Sequence, residues 1–299
     1  MTIEKVQLLI QIIVSGLALG SIYALIALGF VIIYKATDVF NFAQGELMMV
    51  GAYFCFAFST QLHLPFVYSF LLTLVFSAIL TVVIEAIIIR PMVGKPMLSA
   101  VMVTLGLSFI LQGIVGLIWG YDEHKLITPF PDQPVSIGGI VISYQHLWTL
   151  ITTAVLLIIF FIFFKYSRLG VGMRATAEDT DTAFLMGINV KRIFTMSWVI
   201  AAIIASVGGV FLASVSYVKP IMSFIGLRAF PAVILGGMDS IPGAILGGLI
   251  IGVTENLAGG YLDHLLGGGV KEITAFVVAI LIMMVRPYGL FGTKEIERV

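Results

Sequence analysis

The side chains able to do chemistry are few and scattered. His63, His124, His146 and His264 lack the spacing of a metal site, and Cys55 is the only cysteine, so no intrachain disulfide can form. No nucleophile–histidine–acid set or pair of catalytic carboxylates stands out. Gly94-Lys95 is followed by Pro96 and lacks the upstream glycine of a P-loop, so the chain carries no ATP site of that kind. Gly170-Val171-Gly172-Met173-Arg174-Ala175 fits a loose dinucleotide pattern, but it follows an apolar run of helix length and not a strand, which argues against that chemistry. No enzyme, metal or cofactor is expected.

What remains are isolated charges in apolar surroundings, where each costs about 2.5–3.5 kcal/mol or more in hydrocarbon unless partnered or wet. Glu46 lies one turn into an apolar run and either complements a helix N-terminus or lines a path. Glu85 is close enough to Arg90 for a local ion pair. Arg228 has no such neighbour and must face protein or a cavity, with Asp239 either its partner or a cap for the next helix. Glu255 and Asn256 are expected to reach the outer interface. These groups do not line one helix as a regular chain, which weakens a proton-coupled carrier.

The longest polar interruption is 165–194, in which Lys165, Arg168, Arg174, Lys191 and Arg192 oppose Glu178, Asp179 and Asp181. Ala177, Phe184, Leu185 and Ile188 recur at helical spacing, which predicts one short amphipathic helix ended by Gly187. A helix this short is marginal alone, so it should dock on a partner.

The elements that must position these residues are membrane helices. Of 299 residues, 60% are hydrophobic and 11% charged, against about 25% charged in a soluble domain. The apolar runs are long and do not alternate, which selects helices over a closed barrel. Formal net charge is zero and no basic patch invites nucleic acid. The N-terminal run, preceded by Glu4 and Lys5, is too long for a signal core and reads as a first span.

Windows long enough, or nearly so, to cross fall at 8–34, 44–62, 65–89, 97–119, 146–166, 195–216, 221–238, 241–258 and 270–285. The seventh carries Arg228, Pro231 and Gly236-Gly237 and is expected to be broken or re-entrant. Basic residues at 90–95, 165–192 and 286–298 mark the cytoplasmic side. They give about eight or nine transmembrane helices, nine if the seventh crosses, in a single permease domain over 1–299. The N-terminus is then outside and the C-terminus inside. Spans 1–4 and 6–9 form inverted halves joined by span 5, with 44–62 and 221–238 as counterparts. Asn41 and Gln44 form a capping-box-like start for the second span, and Ser240 with Pro242 starts the eighth. Gly16/Gly20, Gly243/Gly247 and Gly248/Gly252 should let helix backbones approach. The loop 120–145, with Pro129, Pro131 and Pro134, reads equally as an external connector or a docking surface for an external partner.

Three stretches together resemble a known family: Asn41-Phe42-Ala43-Gln44-Gly45-Glu46, then 174–188 (RATAEDTDTAFLMGI), and 226–248 (GLRAFPAVILGGMDSIPGAILGG). The chain looks end to end like the LivH-type permease subunits of branched-chain amino acid ABC importers, with Gln44 where relatives often carry His. The resemblance implies an all-α polytopic membrane protein of type II ABC importer-like architecture in a bacterial or archaeal plasma (inner) membrane. It also implies a LivM-like second permease, two ABC ATPase subunits and a periplasmic or extracellular substrate-binding protein as partners. The polar stretch becomes a cytoplasmic coupling loop, with Arg174 as anchor and Ala177, Glu178, Asp179, Gly187 and Ile188 as the transmitting surface. Asn41, Phe42, Gln44, Glu46, Phe230 and Pro231 would lie near the path. Relatives carrying urea, amides or other neutral amino acids share such signatures, and an ion-coupled secondary transporter is the rival from another class. Heterodimer and homodimer both remain open.

Overall fold

An apolar run of 35 residues without an internal proline forms one continuous helix, α1 (Ile3–Thr37), in the computed structural model, which describes residues 3–92, 94–129, 134–137 and 140–292. Asp38 closes α1 in the left-handed region at φ 51°, a conformation Asp tolerates better than most residues. There follow α2 (Gln44–Phe56), α3 (Phe66–Ile84), α4 (Met97–Trp119), a short hairpin of β1 (Pro134–Ile137) and β2 (Ile140–Ser143), and α5 (Tyr144–Tyr166). The chain continues through α6 (Arg168–Glu178), α7 (Thr180–Leu185), α8 (Val190–Val215), α9 (Phe224–Gly236), α10 (Ile241–Leu266) and α11 (Val270–Val285).

Six of these helices, among the described residues, are long and apolar enough to cross a membrane. Windows 44–62, 221–238 and 270–285 fall instead on α2, α9 and α11, of 13, 13 and 16 residues. At about 1.5 Å per residue, the 13 residues of α9 rise about 20 Å, short of the ~30 Å of hydrocarbon. The broken seventh span takes a specific form: a 3₁₀ turn (Pro220–Ser223) and then α9, with Pro231 inside the helix removing a backbone donor. The run of α2 continues as a π-helical turn over Ala57–Gln61.

The loop 120–145 contains a short hairpin. Strands β1 and β2 pair antiparallel, Val135 opposite Ile142, where β-branched side chains favour extended backbone over helix. Pro131 and Asp132 lie outside the described residues.

Contacts divide the chain into two units, one of residues 1–31, 130–153 and 228–299 and another of 32–129 and 154–227, each drawing helices from both halves of the sequence. In the first unit α1 and α10 pack through facing glycines. A Cβ on Gly252 would stand 2.2 Å from the Gly20 Cα, so only glycine admits this approach. Gly16, Gly20, Gly248 and Gly252, paired in the sequence, thus share one interface, whereas Gly243 and Gly247 meet α9.

In the second unit α2 packs against α8, α3 and α4. Helix α3 shows what orients a helix in lipid. Ser69, Thr73, Ser77, Thr81 and Glu85, at intervals of four, are all buried, while Val67, Leu71, Val75, Ile79 and Val83 are exposed. Lipid is as apolar as leucine, so the helix is sorted by polarity and size, with small hydroxylated residues turned inward. The Thr73 and Thr81 hydroxyls donate to carbonyls four residues earlier at 2.8 Å, and Ser206 of α8 donates to Ser77 at 2.9 Å.

Candidate functional site

The polar stretch 165–194 holds two helices, not one. Ser167 caps α6, its Oγ accepting from Gly170 N at 2.9 Å. Helix α6 ends where Asp179 turns extended (φ −158°, ψ 111°), and the Asp179 carboxylate then accepts from Thr182 N at 2.9 Å to cap α7. The single-helix expectation fails because Asp favours this extended, capping geometry over a helix interior. Ala177 therefore belongs to α6, and Phe184 and Leu185 to α7. The expected terminator holds: Gly187 is left-handed at φ 85°, and Ile188 N donates to Ala183 O at 3.0 Å. Asn189 starts α8 by accepting from Arg192 N at 3.1 Å.

Arg174 secures the pair of helices to the end of α5. Its Nη1 donates to Phe164 O and its Nη2 to Lys165 O at 3.2 Å, and the guanidinium lies over the Phe164 ring at 5.4 Å. A cation on the last carbonyls of a helix meets both orphan acceptors and the negative end of the helix dipole. The glycines of the dinucleotide-like pattern serve the same junction, since a Cβ on Gly170 would strike the Phe164 carbonyl.

Helix α7 rests on buried Ala183 and leaves Phe184, Leu185 and Met186 exposed at 69%, 82% and 79%. Glu178 and Asp181 are exposed beside them. The Thr182 amide holds the Asp179 carboxyl below the usual carboxylate range. A groove of about 750 Å3 adjoins α7, bounded by Phe184, Gly187, Ile188 and Lys191 and reaching Glu85 and Arg90. The Glu85–Arg90 pair forms as expected, at 2.7 and 3.2 Å, and Thr195 of α8 adds a third donor to Glu85 at 3.0 Å.

The residues expected near a path fall in both units. Asn41 and Gln44 are buried, but not as a capping box. Asn41 Oδ1 accepts from Ala43 N at 3.1 Å, its Nδ2 donates to Gln44 Oε1 at 3.1 Å, and Gln44 Nε2 donates to Ala201 O at 3.3 Å. The N-cap of α2 is Ala43, with no side-chain bond. A tight turn over Phe42 and Ala43 brings the two amides together and away from the backbone donors of the helix. Phe42 N donates to Thr104 of α4 at 3.3 Å, and Glu46 is half-buried. In the other unit Pro231 is buried and Phe230 lies 6.0 Å from Phe30 between ring centroids. Ser240 caps α10 as expected, accepting from Gly243 N at 3.1 Å.

One expectation is overturned, and Arg228 gains a partner that the sequence reading did not offer. Glu255 does not reach an interface; it is fully buried and accepts from the Tyr23 hydroxyl at 2.7 Å. Arg228 finds its acid in Glu272, in the first turn of α11, at 3.0 Å. Both pairings join distant segments, and no local spacing could have announced them.

A largely helical chain, with six described helices long and apolar enough to cross a membrane and a polar two-helix segment between α5 and α8, suits a membrane transport subunit. A sequence-family model described as the permease component of branched-chain amino acid transport systems matches residues 12–286, and the chain belongs to that family. It is 34% identical over 304 residues to the high-affinity branched-chain amino acid transport system permease protein BraD of Pseudomonas aeruginosa, covering 97% of this chain and 98% of that one. It is 35% identical to LivH of Salmonella typhimurium and 33% identical to LivH of Escherichia coli, with 99% of each chain covered in both cases. Among solved structures, PsaBC from Streptococcus pneumoniae in complex with Fab shares the fold, with TM-score 0.51, 16% identity and coverage of 92% of this chain and 91% of that one. The chain is a multi-pass membrane permease subunit, not a catalyst.

Proposed function

We propose that the chain forms part of the translocation path of a plasma-membrane ABC importer for branched-chain, aliphatic amino acids. It works beside a LivM-like second permease, two ATPase subunits and an external binding protein. The observation that carries the coupling role is α7: a capped, one-turn-and-a-half helix presenting Phe184, Leu185 and Met186 to water from a polar segment. Large apolar side chains held out on a short helix are what a partner's groove takes up.

ATP binding draws the ATPase subunits together, and α7 follows the groove that holds it. Arg174 passes that displacement to the end of α5, and Gly187 and Asn189 pass it to the start of α8. Glu178 and Asp179 form the polar rim and Ala177 and Ile188 the apolar border of the transmitting surface. Phe42, Glu46, Phe230 and Pro231 border the path, with Asn41 and Gln44 fixing the turn that carries Phe42. The path itself needs no tight site, because strong retention would slow release.

The test is purification of the assembled complex from the membrane, identification of the attached chains, and uptake of labelled leucine, isoleucine and valine into vesicles. ATP-dependent uptake requiring the binding protein supports the reading. Ion-gradient-driven uptake by the lone chain overturns it.

A further inference from the structure

The last four carbonyls of a helix have no partner within it, and close to lipid each must find a donor elsewhere. At the end of α9 all four are satisfied. Gly237 N donates to Val233 O at 2.9 Å and to Ile234 O at 3.3 Å. Leu290 N donates to Leu235 O at 2.8 Å, and Phe291 N donates to Gly236 O at 3.0 Å. Half of the cap thus comes from a distant segment, 286–292, where the chain leaves α11.

That segment is shaped as a strap. Gly289 N donates to Arg286 O at 2.9 Å, which turns the chain back towards α9. Gly289 is left-handed at φ 75°, and a Cβ there would stand 2.6 Å from Ile234 O. A Cβ on Gly237 would stand 2.5 Å from Gly292 N. Only glycine lets two backbones lie this close. Tyr288 and Phe291 remain exposed, so backbone amides hold the strap more than buried side chains do.

The opposite half of α9 has weaker support. Pro231 has no amide to give Leu227 O, so the helical ladder is open across that turn. The chain also passes from one compact unit to the other there, between Leu227 and Arg228. Phe230 lies within the open turn.

We propose that the amides of Leu290 and Phe291 are positioning groups for transport. They hold residues 232–236 of α9 as a fixed post, so that movement of the path wall is confined to the turn around Phe230 and Pro231. The proposal rests on the path role given to α9 above. Without the strap, two carbonyls lose their donors and the end of α9 frays. Displacement delivered by the ATPase subunits is then taken up by a loose helix, and hydrolysis continues while cargo stays outside.

The test is the amount of leucine imported per ATP hydrolysed by the complex in proteoliposomes with its binding protein. Leu290→Pro and Phe291→Pro each delete one donor, and Gly289→Val forces the strap away. Each is expected to lower the ratio about fivefold or more while the assembled complex still hydrolyses ATP. Leu290→Ala and Phe291→Ala keep the amides and are expected to keep the ratio. A native ratio in both proline variants, an equal loss in the alanine variants, or a loss of import only in proportion to lost assembly overturns the proposal. Hydrogen exchange reads the post directly. The segment 286–292 is expected to be equally protected in the nucleotide-free and the vanadate-trapped complex, and deprotection on trapping overturns the fixed post. A native complex that imports a different cargo overturns the aliphatic reading and leaves the strap standing, with the ratio then read on that cargo.

Discussion

The hydroxyl of Tyr23 donates a 2.7 Å hydrogen bond to Oε2 of Glu255, 232 positions away in sequence. The carboxyl is fully buried and, among the described residues, its second oxygen has no hydrogen-bond partner, so the Tyr23 hydroxyl is the one donor described for it. Tyr23→Phe removes that donor and leaves both oxygens unsatisfied, with an expected loss of about 1–3 kcal/mol. Tyr23→Phe combined with Glu255→Leu restores most of it, because the penalty comes from the abandoned acceptor. Thermal unfolding of the purified protein in detergent reads both; equal destabilisation by the single and double variants would contradict this account.

Gly252→Val places a branched side chain where a Cβ alone would stand 2.2 Å from the Gly20 Cα. The helices α1 and α10 must separate, and the expected destabilisation is at least about 1–3 kcal/mol. Monodisperse yield on size exclusion checks this. Gly106→Val, where a Cβ meets nothing within 4 Å, is the control and should behave as the native chain.

Arg90→Ala leaves the Glu85 carboxylate, 2% exposed, with only the Thr195 hydroxyl. The Arg90 side chain is 46% exposed, so solvent already screens the pair, and the loss is expected to fall below that of a fully buried pair. Glu85→Gln should cost less, since a neutral amide tolerates the site. The ordering of the two melting temperatures is the measurement.

These three sites differ in how far the sequence foretold them. The Glu85–Arg90 pair spans five residues and could be read directly. The facing glycines were visible as spacings, but not which helix each would meet. Tyr23–Glu255 and Arg228–Glu272 had no local signal, because long-range pairing is fixed by packing. The helical class followed from apolar run length alone. The broken seventh span was legible too, from Arg228, Pro231 and Gly236-Gly237. The division of 165–194 was not, since one residue, Asp179, decides it and outweighs periodicity.

Gly187→Val forces a β-branched residue into the left-handed region, at a cost of about 1–2 kcal/mol. The end of α7 should unwind, and Glu178→Lys should reverse its rim charge. Both are expected to abolish uptake while membrane insertion is kept. Native uptake in both variants would remove α7 from the coupling route.

The cap of α7 carries a pH signature. Its Asp179 carboxyl is held below the ordinary range by the Thr182 amide, so the stabilisation is complete above the unfolded carboxylate range and is lost as pH falls through the folded value. ATPase retention on the purified complex should be flat from neutral pH down to the free carboxylate range, about 4, and decline below it. Asp179→Asn, which caps without titrating, should blunt the decline.

The outward-facing Phe184, Leu185 and Met186 also bear on biogenesis. On the coupling role proposed above, a copy made without its companions leaves this apolar tip uncovered, and lone subunits are expected to associate through it.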